Sequence, residues 1–285
     1  MTTIPITGHT QFYGLLGSPV SHSLSPKIHN HGFSSLGIDA VYLCFDVKEQ
    51  ELAQAVEGLK LAGIRGFNLT MPCKNKMAEL CDDLSPAASF IGAVNTVVNT
   101  DGHLTGHITD GVGFWRAASE AGCPPSGKTA VLMGMGGAAT AIAVQGALDG
   151  LSELNIFVRP TSRFWERSRF LTDRLNSKTN CHVNLFSNDD LSARKKAITR
   201  SHLLINGTSL GMDPHTDRTI LTDLTLLRPD LIVGDVIYHP RETLFLKNAA
   251  AAGCKTFNGL PMLLYQAAEA FRLWTGRDLP LDIEL

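Results

Sequence analysis

"AVLMGMGGAATAIAVQGALDG", Ala130–Gly150, changes character at its glycines. A short apolar β-type run precedes them, and small and apolar residues with the composition of a buried helix follow. Gly134, Gly136, Gly137 and Ala138 form the joint, with Ala139 at the third place of a G-x-G-x-x-G/A pattern. Glycines permit the tight turn and let an anion approach the helix N-terminus, where free amides and the helix dipole favour a pyrophosphate. Set between strand and helix, the motif reads as a dinucleotide site rather than a mere tight turn.

Downstream, "LNIFVR", "HVNLF", "HLLINGT" and "DLIVGDVIY" continue a strand and helix series of Rossmann type. Upstream, Pro124-Pro125-Ser126-Gly127 breaks the pattern, and an earlier series of "QFYGLLG", "AVYLCFDV", "GFNLT" and "AVNTVVN" alternates with amphipathic segments. That alternation predicts a second α/β sheet, at least partly parallel. Ser25 and Pro26 read as an N-cap and first helical residue, and Gly37 as the stop of that helix. "MLLYQAAEAFRLWTG" is a strongly amphipathic closing helix expected to return to the first domain. The expectation is therefore two α/β domains: a substrate domain of residues 1–112 plus 259–285, and a Rossmann-like domain of residues 113–258.

A chain of 285 residues has room for two cores, and its 25 Lys plus Arg nearly balance 27 Asp plus Glu. No charge run marks a nucleic-acid or membrane-surface footprint, and no stretch approaches the roughly 18 apolar residues of a membrane span. The expected partner is a small molecule, and the expected location the cytoplasm. Six scattered cysteines without a C-x-x-C pair suit reduced thiols; Cys73 adjoins Lys74 but has no identifiable base. His103 and His107 lie on a strand after an Asp-Gly turn, about 13 Å apart, too far to share one ion, so no metal is expected. Two chains could pair along an exposed sheet edge as a homodimer, though no residue demands it.

The strand after the glycine loop selects the dinucleotide. An NAD site would offer Asp or Glu at its end, whereas "NIFVRPTSRF" offers Arg159 and then Arg163. Guanidinium groups suit a 2′-phosphate and point to NADP; the alternative is two solvated arginines on a loop.

"GFNLTMPCKNK", Gly66–Lys76, starts as a buried strand and ends with Lys74 just beyond Thr70 and Pro72. Loop lysines are usually solvated. The surrounding motifs change that reading: "GSPVSHSLSPKIHN", "GFNLTMPCK", "IGAVNT", "GHITDGVG", "GMGGAA", "NGTSLGM", "DVIYHPRET" and "NGLPMLLYQAAEAF" occur in order from about residue 12 to 277. Together they resemble the shikimate dehydrogenase family, including its quinate/shikimate branch.

The resemblance implies an oxidoreductase moving a hydride between NADP or NAD and a cyclic polyol acid, in the shikimate pathway to chorismate and the aromatic amino acids. It implies Ser23 and Ser25 on the substrate carboxylate and Asn95 and Gln266 on ring hydroxyls, with Thr70 and Tyr238 alongside. Lys74 and Asp110 match the family's catalytic pair. Gly134, Gly136, Gly137 and Ala138 would cradle the pyrophosphate, Arg159 would meet the 2′-phosphate, and Gly259 and Met262 would lie near the nicotinamide. Ketone reduction places negative charge on oxygen, so a proton donor with an orienting carboxylate suits the chemistry independently of any family. Neutral amides and hydroxyls likewise suit a polyol, because a pocket built to bond hydroxyls rejects analogues lacking them.

The competing readings are structural. Asp110 could cap the helix it begins, Ser23 and Ser25 could cap theirs, and Gln266 could lie on a solvated helix face. Two departures stand out. Ile108 replaces the asparagine of the family's Asn-Thr-Asp, so one hydrogen bond near the site is lost or supplied elsewhere. Val158 and Pro160 flank Arg159 in place of asparagine and threonine, which implies a looser grip on the 2′-phosphate and leaves dual NADP/NAD use open. The alternatives are a quinate/shikimate dehydrogenase working with NAD and, in another class, a catalytically silent polyol-acid sensor; Lys74 and Asp110 together argue against the sensor.

Overall fold

The computed structural model describes residues 5–283, which fall into two compact units. One runs through Thr109 and resumes at Gln266; the other is Asp110–Tyr265.

The first unit contains strands β1 (Gln11–Gly17), β2 (Ala40–Asp46), β3 (Gly66–Leu69), β4 (Asp83–Leu84), β5 (Thr96–Thr100) and β6 (His103–His107). Its helices are α1 (Ser25–Leu36), α2 (Leu52–Leu61), α3 (Lys74–Leu80) and α4 (Pro86–Ile91). The sheet order is β2-β1-β3-β5-β6-β4. β1 runs parallel to β2 and β3, while β5 is antiparallel to both β3 and β6, so the sheet is mixed. The β5–β6 hairpin turns at Asp101 (φ 51°) and Gly102 (φ 92°), the positive pair that a tight two-residue turn requires.

Helix α1 ends at Gly37 in a left-handed conformation, as its sequence predicts, but starts differently. Leu24 occupies the cap position with near-helical backbone angles, and Ser25 is the first helical residue. The Ser23 hydroxyl accepts the Ser25 N–H at 3.2 Å, so it is Ser23 that meets the first free amide of the helix, and Ser25 does not act as the cap.

An aromatic core of Tyr13, His29, Phe33 and Tyr42 is completed from the far end of the chain by Phe271 and Trp274. The indole of Trp274 donates to Val97 O at 2.9 Å. It lies so close to β3 that a Cβ on Gly66 would sit 2.4 Å from Trp274 Nε1, which excludes any larger residue there without repacking.

The second unit opens with α5 (Asp110–Glu120) and contains β7 (Thr129–Met133), β8 (Glu153–Val158), β9 (His182–Ser187), β10 (Leu203–Asn206), β11 (Ile232–Asp235) and β12 (Lys255–Phe257). The strand order is β12-β11-β10-β7-β8-β9, parallel throughout. Helices α6 (Gly137–Leu148), α7 (Trp165–Lys178), α8 (Leu191–Arg200) and α9 (Leu244–Ala251) connect the strands. The strand order reverses between β7 and β10, and in open parallel sheets ligands bind beyond the carboxyl ends of the strands at such a point. Helix α10 (Gly259–Thr275) begins in this unit and ends in the first.

Candidate active site

In the first unit the candidate residues gather around a buried amide. Asn95 is 3 % exposed and sits immediately before β5. Its N–H donates to His107 O, and its carbonyl accepts from the Leu69 N–H and from Asn68 Nδ2. Its side chain engages Thr109 in both directions: the Thr109 N–H donates to Asn95 Oδ1 at 2.8 Å, and Asn95 Nδ2 donates to Thr109 Oγ1 at 3.1 Å. Asn68 Nδ2 also reaches Thr96 Oγ1 at 3.0 Å, and Tyr42 donates its hydroxyl proton to Asn68 Oδ1 at 2.7 Å. The side chains of Asn68, Asn95, Thr96 and Thr109 thus each have partners within the network, the condition for burying them without a large penalty.

Lys74 is not a loop residue: it opens α3, half-buried. Its carbonyl accepts the Val94 N–H at 2.9 Å, which fixes its backbone one residue from Asn95. Thr70 closes β3 into the turn leading to Lys74, with its N–H on Leu16 O and its carbonyl accepting the Cys73 N–H. Cys73 is buried, its Sγ set against Val47 O at 3.4 Å, and burial followed by the charge of Glu49 pushes its thiol pKa up. A thiol held in that way is a packing group rather than a nucleophile. Ser23 and Ser25 lie half-buried at the start of α1, and half-buried Gln266 carries Oε1 to 3.4 Å from the Thr109 hydroxyl.

In the second unit, Asp110 is the first residue of α5, immediately after the Thr109 that Asn95 holds. Gly134 follows β7 with φ 92°, and a Cβ there would lie 2.5 Å from Thr208 Cγ2, so the turn requires glycine on both counts. Gly136 precedes α6 without a side chain to cap it. Added Cβ atoms at Gly136 and Gly137 would meet nothing within 4 Å, leaving open space over the helix N-terminus. Uncapped amides facing open space fit a pyrophosphate. Beyond β8, exposed Arg159 leads a turn in which its carbonyl accepts the Ser162 N–H, while the Arg163 guanidinium lies 4.8 Å from the Phe164 ring centroid. Of the two arginines, Arg159 is the one placed directly at the strand end where a 2′-phosphate reader belongs.

The segment carrying Tyr238 hangs on Asp235, a fully buried carboxylate that sequence reasoning passed over. Its Oδ1 accepts from the Ile237 N–H and from Asn206 Nδ2, and its Oδ2 from the Thr243 hydroxyl at 2.7 Å. Burial nonetheless raises its pKa above the usual carboxylate value. Gly259 packs on the same segment, its N–H on Ile237 O and its Cα so near Val236 O that a Cβ would fall 2.1 Å away. Tyr238 is 48 % exposed and Met262 is buried. No group of three or more potential metal ligands occurs among the described residues.

Residues 15–97 match the family model described as the shikimate dehydrogenase substrate binding domain, and residues 259–283 the model described as the shikimate 5'-dehydrogenase C-terminal domain. A shikimate dehydrogenase (NADP(+)) of Listeria innocua is 47 % identical over 97 % of this chain and 95 % of its own length. The chain belongs to the shikimate dehydrogenase family. The protein of the same name from Streptococcus pyogenes is 49 % identical over 97 % of this chain and 96 % of its own. The crystal structure of shikimate 5-dehydrogenase from Listeria monocytogenes in complex with shikimate and NAD superposes with a TM-score of 0.95 at 47 % identity, covering 99 % of this chain and 97 % of that one. Against the shikimate dehydrogenase pattern, Ile108 is buried and apolar, so the bonding at this point of the chain is done by its neighbour Thr109. Asn68, Thr96, Thr109, Asn206 and Asp235 were not singled out from sequence; the available signal was a polar residue inside an otherwise apolar strand, or directly beside its end.

Proposed function

We propose that the chain is a shikimate dehydrogenase, catalysing reversible hydride transfer between NADP(H) and shikimate or 3-dehydroshikimate. The observation that carries this reading is the 47–49 % identity, over 97 % of the chain, with proteins named for that activity. Residues 1–112 with 259–285 would form the substrate domain and residues 113–258 the nucleotide domain. Gly134, Gly136, Gly137 and Ala138 would hold the pyrophosphate at α6, Arg159 the 2′-phosphate, and Gly259 and Met262 the nicotinamide side. Bound NADP supplies the hydride acceptor, and its reduced form the donor.

The remaining chemistry belongs to side chains. Ser23 and Ser25 would hold the substrate carboxylate, and Asn95 and Gln266 its hydroxyls, assisted by Thr70 and Tyr238. In the reducing direction Lys74 would give its Nζ proton to the carbonyl oxygen as negative charge develops there; in the oxidising direction it would take the proton back. Asp110 would orient the ammonium group and share its proton. A cytoplasmic setting accords with the six free cysteines. Light scattering after size exclusion reports whether two chains pair as a homodimer.

The test is absorbance-monitored initial rates with shikimate and quinate, each offered with NADP and with NAD. Turnover concentrated in shikimate with NADP is expected. Comparable rates with quinate and NAD would assign the chain to the catabolic branch, and no turnover in any combination would overturn the proposal in favour of a ligand sensor.

A further inference from the structure

Thr109 stands where the first unit ends, 1 % exposed, between the two amides assigned to substrate hydroxyls. Its single hydroxyl proton has three acceptors in range: Gln266 Oε1 at 3.4 Å, Asn95 Oδ1 at 3.3 Å and Thr96 Oγ1 at 3.4 Å. One of these is already fully served. Asn95 Oδ1 takes the Thr109 N–H at 2.8 Å and the Thr96 hydroxyl proton at 3.0 Å, which fills both lone pairs of an amide oxygen. Thr96 Oγ1 takes Asn68 Nδ2 at 3.0 Å. The Thr109 hydroxyl bridges the two amides: it donates to Gln266 Oε1 while its oxygen accepts from Asn95 Nδ2.

The consequence is an orientation. A fixed backbone N–H at Thr109 forces Asn95 to present Oδ1 to it, and the bond donated by the hydroxyl holds Gln266 with Oε1 toward Thr109 and its NH2 edge away. Flipping Asn95 would set donor against donor at the Thr109 N–H, and inside a buried network such a mismatch costs roughly 1–3 kcal/mol, about 5- to 150-fold in an equilibrium; flipping Gln266 would break the bond it accepts from the Thr109 hydroxyl. The arrangement favours a ligand whose hydroxyls act as acceptors toward these two side chains.

We propose that Thr109 is a positioning residue for substrate recognition: its backbone N–H sets the amide of Asn95 and its buried hydroxyl that of Gln266, each as a hydrogen-bond donor to the polyol. This rests on the function proposed above. It also assigns a role to the Ile108-Thr109-Asp110 segment, since Thr109 supplies the polar contacts next to a buried isoleucine.

The test compares Thr109→Val, which keeps the shape and removes the hydroxyl, with Thr109→Ser, which keeps the hydroxyl. Calorimetric binding of shikimate, steady-state KM and kcat, NADP affinity and thermal midpoint are measured on each full-length protein. Thr109→Val is expected to raise the shikimate dissociation constant and KM about 10- to 100-fold, with a smaller change in kcat and none in NADP affinity, and Thr109→Ser to stay within about threefold of the parent. Unchanged shikimate binding in Thr109→Val, or equal impairment in Thr109→Ser, would overturn the proposal. A parent protein that binds shikimate without turning it over would refute the proposed activity, while the binding comparison would still decide the role of Thr109.

Discussion

The Asn30 side chain pairs with the backbone of Tyr42 as a neighbouring strand would: Nδ2 donates to Tyr42 O at 3.0 Å, and Oδ1 accepts the Tyr42 N–H at 2.8 Å. Since β2 is an edge strand with β1 on one side only, one side chain of α1 closes part of an otherwise open edge. Open edges invite pairing with other chains. Asn30→Ala should lower stability by about 1–3 kcal/mol, from the orphaned backbone pair, and should increase aggregation on heating. Urea unfolding and light scattering check both. A homodimer built through this part of β2 would form more readily in the variant, which the same scattering experiment reports.

His29 is fully buried, stacked on Tyr42 at 4.5 Å between ring centroids, with no partner for Nδ1. Burial pushes its pKa down to about 3, partly offset by a side-chain bond to Asn68. The folded state keeps the ring neutral while the unfolded chain takes up a proton below about pH 6.5, so stability is full above that value and is lost as pH falls toward about 3. At pH 5 the loss from this one group is about 2 kcal/mol. Replacing His29 with Phe should shrink the stability difference between pH 7 and pH 5 by about that amount in urea titrations; an unchanged difference would show that His29 is not the sensitive group.

Lys74→Ala should reduce kcat by about a hundredfold to ten-thousandfold while shikimate binding weakens far less, the signature of a lost proton carrier. Asp110→Asn should likewise lower turnover more than cofactor affinity. If instead Asp110→Asn mainly lowers the melting temperature, its place at the start of α5 is structural.

Arg159→Ala should raise KM for NADP about 10- to 100-fold, the loss expected for a charge-assisted phosphate contact, and leave KM for NAD nearly unchanged. An unaltered ratio of the two constants would remove Arg159 from the specificity of the site.

Much of this architecture can be read from residues alone, because it depends on local signals. The glycines at 134, 136 and 137 demand a strand-to-helix turn, and Asp101-Gly102 demands a hairpin whatever surrounds them. Strand β12 is harder: three residues, none of them buried, with no periodicity to detect. The start of α1 misleads because two serines compete for the cap, and only geometry shows that Ser23, not Ser25, meets the amide. The buried polar network was least legible. Asn68 and Asn206 each sit in a four-residue strand buried along its length, and sequence does not say which polar group finds a partner 27 or 29 residues away. Those partners arise from strand register, which is a property of the assembled sheet.

The first unit draws its core from both ends of the chain, and this has a consequence during synthesis. Phe271 and Trp274 join an aromatic cluster whose other members are made before Tyr42 is passed, yet the whole of the second unit is translated in between. At about 5–20 residues per second, the early segment waits on the order of ten seconds or more before its last two rings emerge. The contiguous unit can meanwhile fold on its own schedule. A nascent chain stalled before Phe271 should therefore hold a folded nucleotide-type unit beside an unfinished, sticky partner, the state in which a ribosome-associated chaperone has most to cover.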